Sequence, residues 1–208
     1  MVELADASDS KSDKVTLVWV QVPLSVPIFY LFDLFHKYFF KGDFMLNIVL
    51  INPEIPQNTG NIARTCVATN ARLHLIKPLG FELSDKYVKR AGMDYFDKLD
   101  YIVYEDFNDF LNNNKDCNMF LLTTKAAKDY TKVNYTDDCY LFFGPESKGI
   151  NEQLILDNFD KAVRIPMFSD IRSLNLSNAV AIVAYEALRQ NEFKDLRKNS
   201  EYFKGRQK

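Results

Sequence analysis

From Met45 to Gln190, short apolar runs rich in β-branched and aromatic residues alternate with amphipathic stretches, and this alternation limits what the chain can fold into more than any other feature. Leu46 to Ile51, Leu73 to Ile76, Tyr101 to Tyr104, Met119 to Thr123, Tyr140 to Phe143 and Ala162 to Ile165 read as strands. Between them, Asn61 to Thr69, Asp85 to Ala91, Phe107 to Asn112, Glu152 to Asn158 and Ser177 to Gln190 are the helix candidates. Strand and helix in alternation predict an α/β domain with a mostly parallel sheet flanked by helices. A length of 208 residues fits one such domain with an extension, and an apolar share of 47% is enough to build its core.

The first 44 residues read differently from the rest. Val15 to Phe32 is uncharged, but Gln21, Pro23, Ser25 and Pro27 interrupt it and would break a spanning helix. Glu3, Asp6, Asp9 and Asp13 stand against Lys11 and Lys14 where a secretory signal needs a positive segment, so the expected location is the cytoplasm. Val20-Gln21-Val22-Pro23 can be encoded by GTTCAAGTCC plus two further bases, a string that resembles the T-arm of a transfer-RNA gene. Two readings stand: a translated tRNA gene ahead of a biological start at Met45, or a genuine extension. The division expected is therefore 1–44 extension, 45–192 main domain and 193–208 basic tail. The tail sets Lys194, Arg197, Lys198, Lys204, Arg206 and Lys208 against Asp195 and Glu201, which suits either contact with phosphate or simple solvation.

A formal charge of −2 excludes a strongly basic nucleic-acid binder, so any contact with phosphate must be local. Cys66, Cys117 and Cys139 show neither CxxC pairing nor a histidine at metal spacing, which predicts reduced thiols and no metal site. His74 lies in the apolar run Arg72-Leu73-His74-Leu75-Ile76 and reads as structural.

In open parallel sheets ligands bind where strands run out into loops, and three such loops are informative. The first, Asn52 to Asn61, holds two prolines and a polar Asn58-Thr59-Gly60-Asn61 approach to a helix carrying Arg64, whose amides would suit an anion such as RNA phosphate. The second, Gly144-Pro145-Glu146-Ser147-Lys148-Gly149, leaves a strand at a glycine that permits close backbone approach. It is neither GxGxxG nor a P-loop, and Glu146 could pair with a cation or hold a neighbouring loop. The third runs from Ile165-Pro166-Met167 into Ser173-Leu174-Asn175-Leu176-Ser177-Asn178, with more polar side chains than one helix cap requires. Val180, Val183, Ala184 and Leu188 on the following helix suit either burial or a subunit contact.

These loops, in this order and spacing, resemble the three motifs of the SPOUT superfamily of knotted RNA methyltransferases from about Met45 to Glu192. The stretches Pro53 to Arg64, Arg90-Ala91-Gly92-Met93-Asp94-Tyr95, Leu122-Thr123-Thr124-Lys125 and Ser173 to Val180 are similar to its small tRNA 2′-O-methyltransferases that act on cytidine or modified uridine at wobble position 34. The resemblance implies a C-terminal trefoil knot, S-adenosyl-L-methionine as cofactor, tRNA as partner and an obligate homodimer. Carried over by position, it implies donor contacts at Leu122, Gly144, Ile165 and Ser173, supported by Glu146, Met167 and Asn178. Arg64 falls at the catalytic arginine, and Asn58 and Tyr185 join it as expected RNA contacts. Two alternatives stay open: 2′-O-methylation of ribosomal RNA, and a non-catalytic RNA-binding protein of the same fold.

Overall fold

The computed structural model describes residues 2–6, 16–20, 46–83, 98–169 and 171–202. The chain divides into two units, Met1–Asp43 and Phe44–Lys208. In the first, β1 (Val2–Asp6) and β2 (Thr16–Val20) form an antiparallel ribbon with Val2 opposite Val20. The expected helix Asp85 to Ala91, the Arg90 to Tyr95 motif, the uncharged stretch after Val20 and the end of the tail, with Lys204, Arg206 and Lys208, lie outside the described residues.

The second unit is an α/β layer. Its elements follow the order β3 (Asn47–Ile51), α1 (Pro56–Thr69), β4 (Arg72–Ile76), β5 (Tyr101–Tyr104), α2 (Phe107–Asn113), β6 (Asn118–Leu122), β7 (Lys128–Asp129), β8 (Cys139–Phe143), α3 (Glu152–Asp157), β9 (Ala162–Arg164) and α4 (Leu176–Gln190). The seven strands lie in the spatial order β5-β4-β3-β8-β6-β9-β7, and each described pairing is parallel. Each of the six expected strands is present to within one residue at either end, and β7 is an added edge strand of two residues, too short to show a period.

Helices cover both faces, so the central strands are buried on both, and residue type follows the period of two. Ile48, Leu50, Leu73, Leu75, Leu141 and Phe143 point into one core with Ile62, Ala63 and Cys66 of α1 and Val180, Val183, Ala184 and Leu188 of α4. Val49, Ile76, Leu121 and Phe142 point into the other with Phe110 of α2 and Ile155 of α3. Val180, Val183, Ala184, Ala187 and Leu188 are at most 1% exposed, so the apolar face of α4 belongs to this chain's own core and not to a subunit contact.

One boundary differs in a way that matters for the site. The expected helix beginning at Asn61 starts at Pro56, which occupies the first helical position, where its missing N–H costs nothing. Asn58, Thr59 and Gly60 are consequently buried inside the first turns of α1 and do not form an exposed approach to it. The sequence reading of free amides facing an anion is therefore corrected: the Asn58 and Thr59 N–H groups donate to the Ile55 carbonyl at 3.1 and 3.3 Å.

Candidate active site

The strand order reverses direction at the centre of the sheet. From β3 the chain moves outward through β4 to β5, and the later strands lie on the other side of β3, with β8 next to it. The loops leaving β3, β6, β8 and β9 meet at this switch point, where doubly wound sheets characteristically hold ligands. They enclose a cleft of about 470 Å3. Its walls include Ile55 and Asn58, Leu122 to Lys125, Phe143 to Glu146 and Lys148 to Ile150, and Ile165, Met167 and Arg172 to Leu176.

The loops are tied to one another by two glutamates. The Glu146 carboxylate accepts the Glu54 N–H at 2.8 Å, the Ile55 N–H at 3.3 Å and the Asn58 side-chain amide at 2.9 Å. It thus satisfies donors at the start of α1, a helix without a side-chain cap of its own. Asn58 Oδ1 accepts from Asn175 Nδ2 at 2.9 Å, and Asn175 Oδ1 caps α4 by accepting from the Ser177 N–H at 3.0 Å and hydroxyl at 2.7 Å. In return, the Glu54 carboxylate accepts the Ser147 N–H at 2.9 Å and hydroxyl at 2.7 Å. Those two bonds hold the Glu54 carboxyl below the usual carboxylate range.

Gly144 is where β8 enters the cleft. A Cβ placed there would lie 2.2 Å from the Gly149 carbonyl carbon and 2.3 Å from the Ile150 nitrogen. The 144–149 loop folds back on itself, with the Gly149 N–H bonded to the Pro145 carbonyl at 2.8 Å and Gly149 at a φ of +71°. The close approach that a glycine permits here is made by the protein's own backbone.

Of the residues expected at the donor site, Leu122, Gly144, Glu146, Ile165, Met167 and Ser173 line the cleft, as does Asn58. Asn178 does not; it sits in the first turn of α4, where its N–H reaches Asn175 Oδ1 at 3.4 Å. Arg64 and Tyr185 also lie off the cleft wall. Arg64 is six residues beyond Asn58, about 9 Å along α1 and about 120° around it. Tyr185 is 49% exposed on α4, and Ile182, one turn before it, is 37% exposed.

Sequence reasoning missed Glu54 and Ser147, whose partnership spans 93 residues and leaves no local pattern. It also passed over Lys148 and Arg172, which add positive charge to the cleft wall. Lys125 stands there too and is paired with Glu152. The cysteines supply no nucleophile: burial raises the Cys66 and Cys117 thiols and pushes Cys139 up to about 12.

The SpoU rRNA Methylase family profile matches residues 45–185. A tRNA (cytidine(34)-2′-O)-methyltransferase of Escherichia coli is 49% identical over 148 residues, covering 70% of this chain and 94% of its own length. Another, of Yersinia pestis, is 49% identical over 153 residues, with 70% and 94% covered. A solved structure concerned with 2-OH methylation of C/U34 on tRNA superposes with a TM-score of 0.69 at 42% identity, covering 73% of this chain and 99% of that one. Cleft, strand order and sequence agree, and the chain belongs to the SpoU rRNA methylase family.

Proposed function

We propose that the protein is a cytoplasmic tRNA 2′-O-methyltransferase that uses S-adenosyl-L-methionine to methylate the ribose of the wobble nucleotide, cytidine or modified uridine 34. The observation that carries this reading is the cleft at the switch point, read beside the high identity to enzymes bearing that name. The cleft fits the donor in size and chemistry. Its volume of about 470 Å3 is that of a small-molecule site, and Leu122, Ile165, Met167, Leu176 and Ala179 offer an apolar wall beside the polar backbone of the 144–149 loop. We include the trefoil knot of the SPOUT superfamily in this proposal.

The donor, when bound, supplies the methyl group and a neutral thioether as leaving group. The chain's share is alignment of the ribose oxygen with the methyl carbon, from which much of the rate of such a displacement derives. Glu146 lines the cleft but acts as a structural acceptor, since its two oxygens already take three N–H donors from the neighbouring loop and the first turn of α1. The ribose proton leaves to solvent. Arg64 is not the base for it, because a guanidinium presents N–H donors and no acceptor. Its role here is to hold RNA phosphate and to stabilise charge developing on the ribose oxygen.

Because Arg64 lies off the cleft of its own chain, the complete site requires a second copy, and we take the working form to be a homodimer. Ile182 and Tyr185 of α4, exposed beside its buried face, provide apolar surface for that contact, and in this reading Tyr185 also meets RNA. Incubating the full chain and residues 45–208 with donor and a mixture of tRNA and ribosomal RNA, then mapping ribose methylation, tests the reading. Methylation at nucleotide 34 by both proteins is expected. Methylation of ribosomal RNA alone, or of nothing, would overturn it, and an inactive but folded 45–208 would return a catalytic role to the extension.

A further inference from the structure

We infer that Glu54 is a positioning residue for donor binding, acting through Ser147 on the 144–149 loop; this rests on the methyltransferase reading above. Glu54 is not on the cleft wall, so its carboxylate does not meet the donor. It faces the back of the loop instead, where it accepts both the N–H and the hydroxyl of Ser147 at 2.9 and 2.7 Å. Ser147 stands between Glu146 and Lys148, which do line the cleft, and within the turn that runs from Gly144 to Gly149. Two charge-assisted bonds at the middle of that turn hold it from the side away from the ligand.

Glu54 is itself held firmly. Its N–H is bonded to Glu146 at 2.8 Å, and the Gly80 N–H donates to the Pro53 carbonyl at 2.9 Å. The backbone of Gly80 lies so near that a Cβ there would come within 2.7 Å of the Glu54 Cα. The loops after β3 and β8 therefore exchange carboxylates: Glu146 fixes the backbone of the first and Glu54 fixes the backbone of the second. Removing Glu146 would also release Asn58 and the start of α1, whereas Glu54 Oε1 and Oε2 serve Ser147. Glu54 can therefore be altered to loosen the donor loop selectively.

In Glu54→Gln one carboxylate oxygen becomes an amide NH2; the remaining oxygen can still accept the Ser147 N–H, but the Ser147 hydroxyl must turn from donor to acceptor, and the charge assistance of both bonds is lost. The donor KM should rise about tenfold, as expected when the charge assistance of bonds ordering a binding loop is removed. The kcat at saturating donor and the KM for tRNA should stay within about twofold of wild type, because the substitution removes ground-state binding and transition-state binding alike. Ser147→Ala keeps the backbone donor and should raise the donor KM by a smaller factor, about threefold. In the double variant the effects should be less than multiplicative, since both act on one pair. Calorimetry of the full chain with S-adenosylmethionine gives the affinities, and steady-state kinetics on tRNA gives the split. A wild-type protein that binds no donor would overturn the methyltransferase reading and this inference with it. A wild type that binds while Glu54→Gln binds equally well, or a kcat loss with unchanged donor KM, would overturn the inference alone.

Discussion

Several residues take their meaning from what surrounds them. His74 is 1% exposed in the middle of β4, and its hydrogen bonds fix its tautomer. Asn47 gives its Nδ2 to the Cys139 carbonyl at 3.5 Å, so its Oδ1 is the acceptor for a proton on His74 Nε2, 3.1 Å away. His74 Nδ1 is then the acceptor for the Tyr104 hydroxyl at 3.0 Å. Burial, with Arg72 nearby, lowers its pKa to about 3 from an ordinary 6.5. Between those values the unfolded chain takes up a proton that the folded chain refuses, so stability falls as pH drops from about 6.5 towards 3, by up to about 1.4 kcal/mol per pH unit. Above 6.5 the histidine contributes no pH dependence. Urea unfolding across that range should show this slope in wild type and a shallower one in His74→Gln; equal slopes would place the charge elsewhere. Gly144 makes the opposite case, a residue defined by lacking a side chain. Even Gly144→Ala places a methyl 2.2 to 2.5 Å from the Gly149 and Ile150 backbone, so the ligand-free protein should lose about 1 to 3 kcal/mol on chemical denaturation, as overpacked sites do. An alanine variant as stable as wild type would show that the loop can yield.

Among the elements, legibility depended on whether the decisive interactions were local. The strands were plain in the sequence because burial on both faces produces nearly unbroken apolar runs such as Asn47-Ile48-Val49-Leu50-Ile51 and Cys139-Tyr140-Leu141-Phe142-Phe143. The start of α4 was also visible, since Asn175 caps it through neighbours two and three residues on. The start of α1 was not: Asn58, Thr59 and Gly60 have the composition of a turn, and what stabilises the helix there is Glu146, almost ninety residues away. In the same way the cleft-lining loops could be picked out singly by their polar and glycine content. That they converge on Glu54, Glu146, Asn58 and Asn175 is a property of the strand order, which no spacing within a loop records. Asn175 joins the two kinds of interaction, and a single substitution separates them. In Asn175→Asp the capping oxygen remains and negative charge at a helix N-terminus is favourable, so α4 keeps its cap and the stability loss should be confined to the lost link with Asn58, about 1 to 3 kcal/mol. The bond donated to Asn58 Oδ1 is replaced by an acceptor facing an acceptor, and single-turnover methyl transfer should fall by an order of magnitude, about tenfold. If transfer were unchanged, the α1–α4 link would be needed for folding only.

At the level of the whole molecule, the family match occupies residues 45–185, and the described sheet and its four helices lie within 47–190. Among the described residues no helix is long and apolar enough to cross a membrane. One chain assembles the cleft but leaves Arg64 on the exposed side of α1, some 120° around the helix from the cleft residue Asn58. If Arg64 completes the site of a second copy, each site of the homodimer combines a cleft from one subunit with an arginine from the other. That division can be tested by complementation. Arg64→Ala homodimers should bind donor normally but transfer methyl on the order of 10² times more slowly or worse, as follows from loss of one charge that stabilises the transition state. Gly144→Val homodimers should be defective in donor binding, because the side chain deforms the 144–149 loop. Co-expressing the two variants with different tags and purifying the mixed dimer yields one site that lacks both functions and one that lacks neither. The mixed dimer should therefore recover about half of the wild-type rate. Were each site contained in one chain, each subunit of the mixed dimer would keep its own defect, and verified heterodimers would be as inactive as either parent.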